Sequence, residues 1–170
     1  APRAWWMFRA FGHDNVAVLD GGLPKWCAED RAVSAEEVSL SNASFKAIFQ
    51  PELLRLLEQV NVNVCNRTEQ IVDARSIDRY YGTEPESRPG LRSGHIPGSF
   101  NVPYANILEG GRMIDGTRLY NTFSAAGIDI NKSITTSCGS GITACILALG
   151  FYLVGRDDVA VYDGSWTEWG

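Results

Sequence analysis

The apolar residues of this chain fall in short blocks separated by polar and glycine-rich turns, and the blocks alternate between helix and strand character. Residues 1–11 carry Trp5, Trp6, Phe8 and Phe11 at a spacing that puts them on the core side of a helix. Asn15 to Leu19 reads as a buried strand closed by Asp20-Gly21-Gly22. Glu29 to Ser44 is polar and rich in Ser, Ala and Glu, and predicts a surface linker. A short strand is expected around Phe45–Ile48. Pro51 fits the first turn of a helix running to about Val60, with Leu53, Leu54, Leu56 and Leu57 for the core. Asn61–Glu69 is expected as a polar loop carrying Cys65. Gln70–Asp73 and Ser99–Val102 predict strands, the second introduced by the turn Gly94-His95-Ile96-Pro97-Gly98. Short helices are expected at 77–81, 104–108 and 119–125. Ser133–Thr136 is a β-branched strand, and Ile142 to Val154 is an apolar run of buried-helix length, too short to span a bilayer. Strands alternating with helices predict an α/β domain whose mostly parallel central sheet has helices on both faces.

One internal repeat changes the picture. Gly12, Asp14, Val16, Ala17, Val18, Asp20, Gly21 and Trp26 recur without a gap as Gly155, Asp157, Val159, Ala160, Val161, Asp163, Gly164 and Trp169. The same register carries Ala1 onto Ala144. The expectation is that residues 1–29 are the tail of a first domain whose body lies outside the chain, that 30–44 are a linker, and that 45–170 form the catalytic domain.

Composition adds exclusions. The chain has 170 residues, 45% hydrophobic and 21% charged, enough for one full domain of ordinary size. A net charge of −5 argues against nucleic acid or an anionic membrane as the main partner. Cys27, Cys65, Cys138 and Cys145 show no paired CxxC spacing, so structural zinc, or any metal, is not expected. No disulfide framework is needed at this size, and a reducing, cytoplasmic compartment fits.

The candidate chemistry lies at Ser137-Cys138-Gly139-Ser140-Gly141-Ile142-Thr143-Ala144. A cysteine between the carboxyl end of a strand and the amino end of a helix faces unpaired N–H groups and the positive end of the helix dipole, and both favour an anionic sulfur. Gly139 and Gly141 are expected to take positive φ angles that curl those N–H groups toward one point. The second cluster runs from Asp73-Ala74-Arg75 to Arg79-Tyr80-Tyr81-Gly82-Thr83-Glu84-Pro85-Glu86-Ser87-Arg88, after a central strand and therefore at the same ligand edge. Arg79 and Arg88 could fork a carboxylate. They could equally pair with Asp78, Glu84 and Glu86. Arg75, close behind Asp73, reads as a structural ion-pair partner. Cys145, two helical turns beyond Cys138, reads as packed core. Cys65 reads as exposed, and His13 is given no chemistry.

With these residues on the page, the chain resembles the two-domain rhodanese-like sulfurtransferases, most closely the 3-mercaptopyruvate sulfurtransferases. The resemblance rests on Cys138-Gly-Ser-Gly-Ile-Thr143, on Arg79-Tyr-Tyr-Gly-Thr-Glu-Pro-Glu-Ser-Arg88, on Ser93-Gly-His-Ile-Pro-Gly-Ser99 and on Tyr162-Asp-Gly-Ser-Trp-Thr-Glu-Trp-Gly170. It implies a rhodanese-like fold and a persulfide on Cys138, loaded from a small-molecule sulfur donor and unloaded by cyanide or a thiol acceptor such as thioredoxin. It implies substrate binding by Arg79 and Arg88 and by the loop Gly139, Gly141, Ile142 and Thr143, with Ser140 as hydrogen-bond or proton partner of the leaving group; a helix cap is the other reading of Ser140. No cofactor is implied. The small neutral loop favours 3-mercaptopyruvate, whereas thiosulfate-using members carry basic residues there. His95, in its Gly-His-Ile-Pro-Gly setting, is expected to be structural. The family's active site lies between two domains, and its proposed Ser–His–Asp relay draws His and Asp from the first; that domain is expected as the other partner.

Two alternatives stay open: a thiosulfate sulfurtransferase, and a carrier module that accepts sulfur without turning over. A cysteine phosphatase is set aside, since Ala144 stands where that chemistry wants an arginine.

Overall fold

The computed structural model describes all 170 residues. Five strands form one parallel sheet: β1 (Leu54–Arg55), β2 (Gln70–Asp73), β3 (Phe100–Asn101), β6 (Ile134–Ser137) and β7 (Ala160–Tyr162), in the order β1-β7-β6-β2-β3. A separate hairpin pairs β4 (Leu108–Glu109) with β5 (Arg112–Met113). The helices are α1 (Pro2–Ala10), α2 (Gly22–Ala28), α3 (Leu57–Asn66), α4 (Ile77–Tyr81), α5 (Gly116–Ala125), α6 (Ala144–Leu153) and α7 (Ser165–Trp169). This is the α/β class expected, and no helix is long and apolar enough to cross a membrane.

The central strands β2 and β6 are buried on both faces, which is why they read as continuous apolar and β-branched runs rather than alternating ones. One face packs α1, α5 and α6 over Val72, Ile134 and Val161, and the other packs Val60 of α3 and Trp166 of α7 over Ile71 and Tyr162. Phe123 of α5 and Phe151 of α6 stack at 3.9 Å between ring centroids. Helix α6 is apolar on almost every side because most of it is covered by the sheet, α1 and α5, with Tyr152 and Leu153 exposed at its end. Helix α5 has an explicit start signal, the Asp115 carboxylate accepting from the Arg118 N–H at 3.0 Å. Asp115→Ala should lower stability by about 1 kcal/mol, measured by urea unfolding; no loss would mean that the cap is idle.

Several expectations need correction. Helix α1 buries Trp5, Trp6 and Ala10, while Phe8 and Phe11 are exposed and meet His13 and Phe49 instead of the core. Residues 15–19 form no strand. The two repeat copies place their helices in the same register, α1 on α6 and α2 on α7, but only the second copy has neighbouring strands to complete its backbone hydrogen bonds. The Phe45–Ile48 strand is also missing; there the chain runs extended past the end of α1, with Ile48 N–H on Phe11 O and Gln50 N–H on Ala10 O. The leucine-rich stretch after Pro51 is a single 3-10 turn, Pro51–Leu53, followed by edge strand β1. The helix then runs from Leu57 to Asn66, so Cys65 lies on a helix instead of a loop, exposed as anticipated. Leucine fits helix and edge strand alike, and the parallel partner β7 decides the matter. Residues 104–107 form a 3-10 helix.

Candidate active site

In the parallel register of β2 and β6, Asp73 sits beside Ser137, so the loops following these strands leave the sheet side by side at its carboxyl edge. One loop brings Cys138 and the other brings Arg79 and Arg88. They enclose a cleft of about 280 Å³ lined by Arg79, Glu86, Arg88, Cys138, Ser140 and Thr143, together with Ser87, Leu91, Gly139, Ile142 and Thr167. Of the residues expected to react with or bind the substrate, only Gly141 does not line it.

Cys138 is 1% exposed, on the floor of this cleft. Three carbonyls of its loop are held by partners. Cys138 O accepts from Trp166 N–H at 2.9 Å, and Gly139 O accepts from Thr167 N–H at 2.9 Å and Thr167 Oγ1 at 2.6 Å. Gly141 O accepts from Arg3 Nη1 at 3.1 Å and Cys145 Sγ at 3.2 Å. A trans peptide points its C=O and the next N–H in opposite directions. The N–H groups of Gly139, Ser140 and Ile142, which share peptide units with those carbonyls, and the N–H of Thr143 have no acceptor within the chain. A cradle of this kind can hold an anionic sulfur or a developing oxyanion.

The glycines act differently from one another. Gly141 has φ +74, the left-handed value that turns the loop back toward α6. Gly139 has an ordinary φ, contrary to expectation, and lets Arg79 approach closely: a Cβ there would stand 2.9 Å from Arg79 Nη2 and displace the guanidinium. The Gly141 N–H is also withdrawn from the cradle, since it donates to Ser165 Oγ at 3.1 Å. Ser140 carries no hydrogen bond and does not cap α6, whose N-cap is Thr143 without a side-chain bond. Its hydroxyl is therefore available to the cleft.

Ser165 escaped the sequence reading. Its Oγ accepts from the N–H of both Cys138 and Gly141 at 3.1 Å, donates to Tyr162 O at 2.8 Å, and lies 3.9 Å from Cys138 Sγ. The residue has φ +50, an unusual value for a residue with a side chain. Its signal in the sequence was position alone: it follows β7, next to β6 in the sheet, at the same carboxyl edge.

The arginines divide their work. Arg75 is 1% exposed in its side chain and forks Asp73, with Nε and Nη2 on Oδ2 at 2.9 and 2.7 Å. Its Nη1 reaches Glu86 Oε1 at 2.7 Å, Nη2 reaches Gly94 O at 2.8 Å, and the guanidinium lies over Trp166. It is a structural ion-pair residue, as the sequence suggested. Arg79 pairs with Glu86 through Nε and Nη2, not with Asp78 or Glu84, which leaves Nη1 unpaired. Burial pushes the Glu86 carboxyl up, but Arg79 and Arg75 outweigh it and hold it below the usual carboxylate range. Arg88 donates Nη1 to Thr167 Oγ1 at 3.2 Å and is otherwise exposed.

The remaining candidates lie elsewhere. His95 stacks on Tyr80 at 4.0 Å and donates Nδ1–H to Tyr80 O at 2.9 Å, outside the cleft. His13 sits between Phe8 and Phe45. Cys145 is buried in the core, and burial pushes its thiol up to about 12 although Arg3 opposes the shift.

A central parallel sheet with a cysteine cradle at its carboxyl edge defines the class: residues 50–170 match the rhodanese-like domain, and the chain belongs to that family. It is 43% identical to human 3-mercaptopyruvate sulfurtransferase over 170 residues, covering 99% of this chain and 57% of the relative. It is 46% identical to the chicken protein named thiosulfate sulfurtransferase, covering 99% and 58%. The crystal structure of SseA from Escherichia coli, described as a 3-mercaptopyruvate sulfotransferase, superposes with TM-score 0.84 at 37% identity, covering 97% of this chain and 62% of that one. The chain thus spans somewhat more than half the length of the relatives it matches.

Proposed function

We propose that the chain carries the sulfur-accepting half of a sulfurtransferase, with Cys138 as nucleophile and 3-mercaptopyruvate as donor. The observation that carries this reading is the cleft that joins the Cys138 sulfur, four unpaired loop N–H groups and the free edges of Arg79 and Arg88. The Cys138 thiolate attacks the donor sulfur. An S–S bond forms, the C–S bond breaks, and its electron pair leaves on carbon as pyruvate enolate, which takes a proton to give pyruvate. Arg79 Nη1 and Arg88 hold the donor's carboxylate and carbonyl, and Ser140 hydrogen-bonds the departing enolate oxygen or passes it the proton. The N–H groups of Gly139, Ser140, Ile142 and Thr143 stabilise the persulfide anion, and a thiol such as reduced thioredoxin then removes the outer sulfur.

Two further proposals accompany it. Residues 1–29 are the tail of a preceding domain, its helix α1 packed on the catalytic domain through Trp5, Trp6 and Ala10, with 30–44 as linker and 45–170 as catalytic domain. The repeat register and the start of the family match at residue 50 support this division. A reducing, cytoplasmic setting suits four unpaired cysteines, two of them exposed.

Intact-protein mass spectrometry after brief exposure to each donor tests the reading. One added sulfur from 3-mercaptopyruvate, with slower uptake from thiosulfate, is expected, because the cradle lacks basic residues for a dianion. Arg79→Ala and Arg88→Ala should each slow loading at low 3-mercaptopyruvate by roughly tenfold to a hundredfold, the worth of a charged hydrogen bond; thermal unfolding should be unchanged in Arg88→Ala and lowered in Arg79→Ala, which takes one of two cations from the buried Glu86. Faster loading from thiosulfate would reassign the donor. No uptake from either donor would sink the reading.

A further inference from the structure

We propose that Arg3, on the first helix, is a positioning residue that sets the orientation of the Cys138 cradle. This rests on the reading of Cys138 as the reacting sulfur. Arg3 Nη1 donates to Gly141 O at 3.1 Å, across 138 residues of sequence, and the same nitrogen pairs with the Asp163 carboxylate. The guanidinium lies over the Trp6 ring, 5.0 Å from its centre, and Trp6 is itself fixed by its Nε1–H on Leu53 O at 2.9 Å. Arg3 is thus anchored by the core of the domain and by Asp163 at the end of β7.

The consequence follows from peptide geometry. Gly141 O is drawn toward Arg3, away from the cleft, so the Ile142 N–H of the same planar unit points the opposite way. Gly141 is accordingly the one member of the loop from Cys138 to Thr143 that does not line the cleft, while its neighbours Ser140 and Ile142 do. The fit is tight enough to dictate the residue. A Cβ at position 141 would stand 2.5 Å from Asp163 Oδ1 and 2.7 Å from Arg3 Nη1, in addition to the φ of +74. The Cys145 thiol, also on Gly141 O, is a weak donor, so Arg3 supplies the main restraint. Without it the peptide can rotate, its carbonyl oxygen can turn toward the sulfur, and an N–H donor is replaced by a repelling acceptor.

The test compares Arg3→Met, which keeps the apolar stem, with Arg3→Lys, which keeps a donor for both Gly141 O and Asp163. Alkylation of Cys138 by iodoacetamide at neutral pH is followed by peptide mass, with exposed Cys27 and Cys65 as internal references. Arg3→Met should slow Cys138 alkylation and sulfur loading together by about tenfold, less than loss of a whole oxyanion-hole donor, and leave Cys65 unchanged. Arg3→Lys should restore most of the rate. Should Arg3→Met loosen α1, Asp163→Asn decides the matter, because it frees Arg3 without touching the α1 core and should slow Cys138 in the same way. Parental Cys138 alkylation in a folded Arg3→Met, or in Asp163→Asn if Arg3→Met loosens, overturns the proposal. Alkylation needs no sulfur donor, so the Arg3 result stands or falls even if neither donor loads the parent protein.

Discussion

Cys138→Ser is expected to abolish sulfur uptake while leaving the fold intact. The substitution exchanges one small atom for another at a buried position whose backbone N–H and C=O are held by Ser165 and Trp166, so the loop keeps its shape. An alcohol at this site is a far weaker nucleophile than a thiolate and cannot form a persulfide. Intact mass after exposure to 3-mercaptopyruvate should therefore show one added sulfur in the parent and none in the variant. Cys145→Ser should load as the parent does, since burial pushes that thiol up to about 12 and keeps it protonated at neutral pH. Uptake at the parental level in Cys138→Ser would move the chemistry to another cysteine and dismantle the assignment of the cleft.

Arg75→Met should be the most damaging single change to stability, at about 3–5 kcal/mol, because breaking a buried ion pair strands its partner. Arg75 is enclosed by Asp73, Glu86, Gly94 O and Trp166, and Asp73 has no other cation on it. Glu86 would keep Arg79 alone. Methionine fills the stem's volume but supplies none of these donors. Urea unfolding should show a lower midpoint with an unchanged slope. A loss below about 1 kcal/mol would mean that water replaces the guanidinium and that the cluster is not a structural unit.

The acid limb of stability gives the same cluster a second readout. Glu86 has a folded-state pKa below its ordinary value of 4.5, so its ion pairs contribute stability that is fully present above that value. The contribution disappears as pH falls through the folded-state value. Glu69, which burial pushes up but Arg55 and Thr135 pull further down, behaves alike. In Arg75→Met the part of the acid loss owed to Glu86 should shrink, since one of its two cations is gone.

How legible the molecule was depends on the element. β2, β6 and α6 could be read almost residue by residue, because elements buried over most of their surface carry nearly unbroken apolar or β-branched residues. β1 was misread because leucine serves helix and strand alike and an edge strand is short. Cys138 could be picked out from residue type and the glycines beside it, whereas Ser140, Arg79 and Arg88 were expected at the site only through the family resemblance, their local setting fitting a cap or ion pairs equally. Arg3 and Ser165 did not, because a lone arginine on an apolar helix and a serine after a strand carry no local sign of what they will touch.

The sequence by itself determined which segments are buried, that strands and helices alternate into a parallel sheet, and that a cysteine flanked by glycines stands where a strand meets a helix. Those are consequences of period, propensity and backbone freedom, all local properties. Tertiary structure alone decided which loop N–H groups are left without an acceptor beside Cys138. That choice depends on where each loop carbonyl finds a donor, and the donors come from Arg3, Trp166 and Thr167, far away in the chain. It also decided that Arg79 spends one edge on Glu86 and keeps the other free, since the pairing of charges follows from distances that only the packed loops create.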